Sequence, residues 1–275
     1  MTTNVLIVSK GHDYNHDAFL AMFAEDPDIT TTLVEQPAAQ VLLRPENIDR
    51  YDAVLFYDMS GIPAIGLLHD DANDTGIPSA DFVNSMEALL ASGKGIVLLN
   101  HGTVGWPNWP LWREIHGSSF MLSGGEVFGD TVQGSGYRGG HGPFPNPTFT
   151  LTPVDPDHPV VAGLGAGFTI ADEIYIRSPN FEANVLPLMR SDYDYVASNF
   201  TPPPLASAEE QANWDHPPGS NLVVWANAAR NSPVVASDIG DSPEAFGNPG
   251  FRRLLKNALQ WVSSADAREW ARSRP

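Results

Sequence analysis

Three histidines follow directly on short apolar runs. Gly11-His12-Asp13-Tyr14-Asn15-His16-Asp17 comes after residues 5–8, and Asn100-His101-Gly102 after residues 96–99. An unperturbed imidazole titrates near neutrality, so such residues can move protons at physiological pH. With a nearby carboxylate they could instead hold a divalent metal such as zinc. The acid/base candidates are His16 and His101, the substrate-contact candidate is His12, and the metal set is His12, His16 and His101. Their spacing matches no named metal signature such as HExxH. The plainer alternative makes His12 a turn residue and leaves Asp13 and Asp17 to favour a helix N-terminus.

Carboxylates fall at comparable places. Asp58 ends the apolar run 53–57, and Asp238 and Gly240-Asp241 follow the run 234–236. Asp58 and Asp241 are therefore substrate-contact candidates. Residues 169–177 alternate as one strand, with Ile170, Asp172, Ile174 and Ile176 on one face and Glu173, Tyr175 and Arg177 on the other. Glu173, on the polar face, is the catalytic acid/base candidate. Asp172, on the apolar face, needs hydrogen-bond partners there, which suits an orienting role in catalysis. The competing expectation is a half-solvated strand carrying a Glu173–Arg177 ladder. Among the aromatics, Trp106 precedes a helix expected around residues 107–115 and is placed to stack on a sugar ring. Tyr137 is a further substrate contact. Trp109 and Trp112, three apart on that helix, include at least one core residue.

The elements that must position these groups read as α/β. Buried strands are expected at residues 5–8, 53–57, 96–99, 222–225 and 234–236, with a weaker one at 30–34. Runs that are apolar throughout fit parallel strands covered on both faces. Asn15 caps a helix with inner face Phe19, Met22 and Phe23. Ser79 caps a second, with Phe82, Val83, Met86, Leu89 and Leu90 inward and Gly93 as its stop. Asn248-Pro249 starts a third, striped by Phe251, Leu254, Leu255, Ala258 and Val262, which is expected to close a sheet edge. In an open parallel sheet, ligands bind at the carboxyl ends of the strands, so the clusters after the strands should converge on one rim. Two irregular stretches, 117–147 and 191–220, are rich in Gly and Pro. No composition break forces a second domain, so residues 1–275 read as a single domain.

Thirty-three acidic residues against fifteen basic ones give a net charge of −18, with no basic block. Such a surface repels phosphate backbones, which argues against nucleic acid as a partner. It also favours a neutral small-molecule carbohydrate over an anionic substrate. No apolar run reaches the roughly 18 residues of a membrane helix, and the N-terminus does not read as a signal peptide, so no membrane is expected and the cytoplasm is. The chain has no Cys, hence no thiolate nucleophile.

In this order the residues resemble the ThuA-like trehalose-utilisation family of the class I glutamine amidotransferase-like superfamily. The resemblance is carried by residues 11–17, Gly93-Lys94-Gly95 through His101, residues 109–117 leading to Phe120, and His158-Pro159-Val160-Val161-Ala162-Gly163-Leu164. Asp172-Glu173-Ile174-Tyr175 and the closing helix 251–261 complete it. It implies a flavodoxin-like three-layer α/β/α sandwich with a mostly parallel central sheet. It also implies a role in carbohydrate catabolism, including trehalose and its 3-keto derivatives. Superfamily amidotransferases carry a nucleophilic Cys at the turn after a central strand. Here that turn reads Leu99-Asn100-His101-Gly102, which excludes glutamine hydrolysis through a thioester.

Two departures stand out. Gly240 is followed by Asp241 where the family commonly has Gly-His-Asp, and Met121-Leu122-Ser123 replaces a stretch that often holds a His. His141, in the Gly-rich loop, is a candidate substitute. His158, before Pro159, suits a structural hydrogen bond. The expected function is isomerisation or hydrolysis of a neutral sugar or 3-keto-glycoside, by His acid/base or metal-assisted chemistry. The alternative is a non-catalytic sugar-binding or regulatory protein on the same fold. A third role, assembly as a homo-oligomer, would use the Pro-rich loop at 202–218.

Overall fold

The structure is a computed structural model and describes residues 2–62, 76–140, 142–203 and 206–274. The chain builds strands β1 (Thr3–Lys10), β2 (Ile29–Glu35), β3 (Ala53–Asp58) and β4 (Gly95–Leu99) in its first hundred residues. Short strands β5 (Gly125–Val127), β6 (Asp130–Val132) and β7 (Gly136–Arg138) follow. Then come β8 (Thr148–Pro153), β9 (Phe168–Ala171), β10 (Ile174–Ile176), β11 (Leu186–Ser191), β12 (Leu222–Ala229) and β13 (Ser232–Ser237).

One nine-stranded sheet runs in the order β2-β1-β3-β4-β13-β12-β11-β8-β9. From β2 to β13 every pairing is parallel. From β13 to β9 every pairing is antiparallel. Counting the reversals, β11 and β9 regain the direction of β13. Seven of the nine strands therefore point one way, and β12 and β8 oppose them. The expected strand at 222–225 is present, but β12 runs antiparallel to both neighbours. An apolar run reports burial on two faces and carries no record of direction, because side chains alternate faces either way.

That alternation builds two cores. Val5, Ile7, Leu55, Tyr57, Val97 and Leu99 face one side, while Leu6, Val8, Val54, Phe56, Ile96 and Leu98 face the other. The first side is covered by α1 (His16–Ala24) and by the helix Pro249–Val262 near the C-terminus. The second is covered by helices Ala80–Ser92 and Pro110–His116. All three expected caps form. Asn15 accepts from the Ala18 amide, Ser79 from that of Phe82, and Asn248 from those of Gly250 and Phe251. Gly93 ends its helix in the left-handed region at φ 80°. The helix Pro249–Val262 packs on β1, β3, β4 and β13, over the middle of the sheet, and its start also meets the edge strand β9, where Asn248 Nδ2 donates to the Thr169 carbonyl. Of the two edges, β2 and β9, the helix touches β9 at its first turn, while most of its length covers the sheet face instead of closing an edge. Its broad apolar stripe, with Phe251, Leu254, Leu255, Ala258, Leu259 and Val262 all buried, needs a face that wide.

Residues 169–177 are not one strand. β9 ends at Ala171, β10 begins at Ile174 and pairs with β7 in a separate two-stranded sheet, and Asp172-Glu173 forms the corner between them. Ile62, Val104, Phe120 and Tyr175 make a small third cluster at that end of the molecule. Among the described residues, no helix is long and apolar enough to cross a membrane.

Candidate functional site

Four of the co-directed strands deliver polar residues to the same rim. β1 leads to His12, β4 to Asn100 and His101, β9 to Asp172 and Glu173, and β13 to Asp238 and Asp241. The turn after β4 is tight. Asn100 takes a left-handed φ of 43°, at a cost of about 1 kcal/mol for a residue with a Cβ. Both ends of its side chain are occupied: Nδ2 donates to the Asp238 carbonyl at 2.9 Å, and Oδ1 lies 2.8 Å from the Tyr175 hydroxyl. Gly102 must be Gly, since a Cβ there would stand 2.3 Å from the Phe56 carbonyl oxygen. The turn is thus pressed against β3, and His101 is carried on a rigid base.

The His101 ring stacks on His12, with centroids 3.6 Å apart and planes inclined by 27°. His101 Nε2 lies 3.3 Å from Asp241 Oδ1 and 3.6 Å from Glu173 Oε2. His12 Nδ1 lies 3.9 Å from the same Asp241 oxygen. Two imidazoles and two carboxylates are therefore gathered around one small volume. His101 is 2% exposed and Glu173 5%, so their interactions are little screened by water. The Tyr175 hydroxyl also reaches Glu173 Oε2, at 3.1 Å, and so sits between Asn100 and the carboxylate. Gly139 and Gly140, both at positive φ, lie over Glu173. A Cβ on Gly140 would be 2.6 Å from Glu173 Oε1.

Asp172 is fully buried. Its carboxylate accepts the backbone N–H groups of Gly240, Asp241 and Ser242 at 2.5, 3.2 and 3.0 Å. It thereby fixes the turn that presents Asp241. Burial pushes its pKa up to about 7; the Gly240 N–H restrains the rise and the Asp241 charge adds to it.

A second polar cluster lies behind the turn. Arg177 is 1% exposed. Its guanidinium donates to Asp238 Oδ1 at 2.6 Å, Ser118 Oγ at 2.7 Å and Thr103 Oγ1 at 3.2 Å. Thr103 also donates to Asp238, and His116 Nδ1 lies 2.9 Å from Ser118 Oγ. Burial raises the Asp238 pKa to about 6, against the Arg177 charge that lowers it. Burial holds the His116 pKa well below its ordinary value, with Arg177 adding to the effect. Arg177 is tied to Asp238, so the expected Glu173–Arg177 ladder does not form.

Several sequence candidates land elsewhere. His16 is exposed at the first turn of α1 and stacks on Tyr14 at 4.1 Å. It is outside the group formed by His12, His101 and Asp241, because the loop after β1 turns His12 inward and His16 outward. Asp58 is fully buried and bonded to Gln36 Nε2 at 3.0 Å and to the Ser60 amide and hydroxyl at 2.9 and 2.5 Å. It closes the turn after β3 and presents no surface to a substrate. Trp106 is 5% exposed and packs on Phe82, Trp109 and Gly61, so its ring belongs to the core and offers no sugar platform. Its φ of +49° folds the ring back over Gly61. Trp109 and Trp112 are both core. Tyr137 is half-buried opposite Tyr175, close enough to Glu173 for that charge to help raise its pKa after burial. His158 takes the structural part expected, accepting from the Val160 amide and lying edge-on to Trp261. His141 lies outside the described residues.

Two residues were invisible to the pattern argument. Asn100 carries no titratable group, yet it occupies the strained position of the turn. Tyr57 looks like one more apolar strand residue, but its ring lies 5.0 Å from His101. Its hydroxyl is buried with no hydrogen-bond partner among the described residues. Burial, with the charges of Asp241, Asp172 and Glu173, holds its pKa well above the ordinary phenol value, so it stays a neutral donor.

The family model described as trehalose utilisation, ThuA, matches residues 4–262. Among solved structures, a putative ThuA-like protein of Parabacteroides merdae is 15% identical with a TM-score of 0.61, over 96% of this chain and 91% of that one. A cytoplasmic protein of Salmonella typhimurium is 15% identical with a TM-score of 0.52, over 94% and 98%. The PurLQS structure of Thermotoga maritima is 12% identical with a TM-score of 0.50, over 95% and 100%, which places the chain among amidotransferase-like folds. No curated protein matches the chain.

Proposed function

This chain belongs to the ThuA family of trehalose utilisation, and from that premise we propose that it is an enzyme acting on a neutral sugar or 3-keto-glycoside. The observation that supports this most directly is the meeting of His101, Glu173, His12 and Asp241 at 3.3–3.9 Å on a strand-end rim. Acid and base groups held side by side suit proton transfer at a carbon next to a carbonyl, or at a glycosidic oxygen. In the first case Glu173 takes a proton from the carbon beside the keto group. His101 gives one to the carbonyl oxygen, and the neutral Tyr57 hydroxyl donates to the oxyanion as it forms. Asp172 holds the 240–242 turn, and with it Asp241. Without Cys, no acyl-enzyme thioester contributes.

The charge of −18 and the ring of carboxylates favour an uncharged substrate. The absence of Cys and the neighbour described as cytoplasmic both fit action in the cytoplasm. The test is turnover of a panel of 3-keto-glycosides, 3-keto-trehalose included, by the full chain and by His101→Ala. Product from the full chain and its loss in the variant are expected. Tight binding of a sugar with no product would instead favour the non-catalytic alternative.

A further inference from the structure

We propose that His12, His101 and Asp241 form a binding site for one divalent transition metal ion of the zinc type; it rests on the same rim as the proposed function and, with the ion held by His101 Nε2, the ion would polarise the substrate oxygen in place of the His101 proton. One ligand atom from each residue lies within 4.8 Å of the other two. A four-coordinate zinc with bonds of about 2.0–2.2 Å spaces its ligand atoms about 3.2–3.6 Å apart. His101 Nε2 and Asp241 Oδ1 already stand 3.3 Å apart, and His12 Nδ1 and Asp241 Oδ1 are 3.9 Å apart, a few tenths of an ångström over. Because an imidazole binds a metal near its own ring plane, closing that gap turns the ring of His12, the more accessible of the two, out of its stack on His101.

The chemistry of the donor set selects the metal. Two imidazole nitrogens disfavour magnesium and calcium, which take oxygen ligands, and favour zinc and its neighbours. Three protein ligands leave a fourth position for water or a substrate oxygen, the pattern of catalytic rather than structural zinc. The outer partners are in place too. Asp172 accepts three successive amides of the turn that carries Asp241, and the close contact of Gly102 with β3 fixes the base of His101. Such supports orient ligands and hold the site open to its metal.

An independent observation points the same way. The Tyr57 ring lies 5.0 Å from that of His101, and its buried hydroxyl has no hydrogen-bond partner among the described residues. A buried donor of this kind is costly to leave unpaired, and an oxygen in the open metal position would satisfy it. Glu173 stays outside the set: its Oε2 is tied to the Tyr175 hydroxyl and lies 3.6 Å from His101 Nε2, where it can exchange a proton with a group in the fourth position.

The ion set therefore differs from the His12, His16 and His101 set expected from the sequence, because His16 points outward and Asp241 takes its place. That replacement makes the test selective. The full chain is stripped with a chelator, dialysed and titrated with zinc by calorimetry, with bound metal counted by elemental analysis and no sugar present. One equivalent per chain is expected. His101→Ala and Asp241→Ala should each weaken binding by more than the roughly 10- to 100-fold typical of outer-partner changes, and His16→Ala should leave it unchanged. Circular dichroism and melting of each variant separate a lost site from a lost fold, and Asp241→Asn gives a second, gentler variant. Cobalt titration adds a visible spectrum whose intensity reports four-coordination. Less than a tenth of an equivalent in the full chain, or full affinity in folded Asp241→Ala and Asp241→Asn, would overturn the proposal. Because no sugar enters the measurement, a failed sugar assay and a failed metal site are told apart.

Discussion

Arg177 and His101 are both almost inaccessible, at 1% and 2% exposure, and both face a carboxylate that follows β13. Their surroundings differ in tolerance. Arg177 meets Asp238 at 2.6 Å, Ser118 at 2.7 Å and Thr103 at 3.2 Å, and its Nε alone of the guanidinium nitrogens has no partner among the described residues. His101 meets Asp241 at 3.3 Å and Glu173 at 3.6 Å, with His12 stacked against it. In the first cluster charge is consumed by its neighbours, and the result holds β10, β13 and the turn after β4 together. In the second, the donors and acceptors stand 3.3–3.9 Å apart, the spacing on which the proposed proton transfer and metal site rest. Burial alone does not distinguish these two clusters; the closeness of their contacts does.

The comparison breaks most visibly at Arg177. Arg177→Met leaves Asp238 buried without its partner and should cost about 3–5 kcal/mol, read from denaturant unfolding. A loss under 1 kcal/mol would mean that the two clusters are not different in kind. His101→Ala should do the reverse: turnover falls by about 10²–10⁴-fold while the unfolding midpoint moves little. A pH series sharpens the contrast. Asp172 and Asp238 have folded-state pKa values of about 7 and about 6, raised by burial above 3.8. The folded state therefore binds their protons more tightly than the unfolded one. Their contribution is complete below pH 4 and is lost as pH rises through 6 to 7. Melting temperature should accordingly be higher at pH 5 than at pH 8 by several degrees, the self-repulsion of the −18 charge acting in the same sense. A higher value at pH 8 would show that these carboxyls ionise without penalty. The smallest effects belong to Tyr57→Phe and His16→Ala. Tyr57→Phe removes a hydroxyl with no partner among the described residues, so stability is kept or rises slightly while turnover drops about tenfold. His16→Ala changes neither quantity, and a drop in turnover there would return His16 to the site.

Much of the scaffold was legible because it rests on local rules. Asn15, Ser79 and Asn248 announce helix starts through their own side chains, and the apolar runs mark strands buried on both faces. The rim was legible too, since strand ends gather at one side of a parallel sheet. What escaped depends on contacts far along the chain. Asp172 and Glu173 fit a strand alternation, but the amides at 240–242 pin Asp172 into a corner. Asp58 occupies a strand end as His101 does, and only Gln36 and Ser60 reveal that its carboxylate is already taken. Trp106 carries a ring suited to sugars, and a backbone reversal points it inward. Orientation at a turn is a two-state choice that residue type leaves open, which is why His12 and His16 could not be separated.

Asn100 joins pieces of chain that are distant in sequence. Its amide reaches across 138 residues to the Asp238 carbonyl, and its carbonyl oxygen across 75 to Tyr175, which in turn touches Glu173. Contacts that close such long loops form late and slowly during folding. A chain that has assembled the parallel half of its sheet, β2 to β4, therefore has neither Asp241 nor Glu173 beside His101. The candidate site therefore exists only where the parallel and antiparallel halves of the sheet have both formed and met.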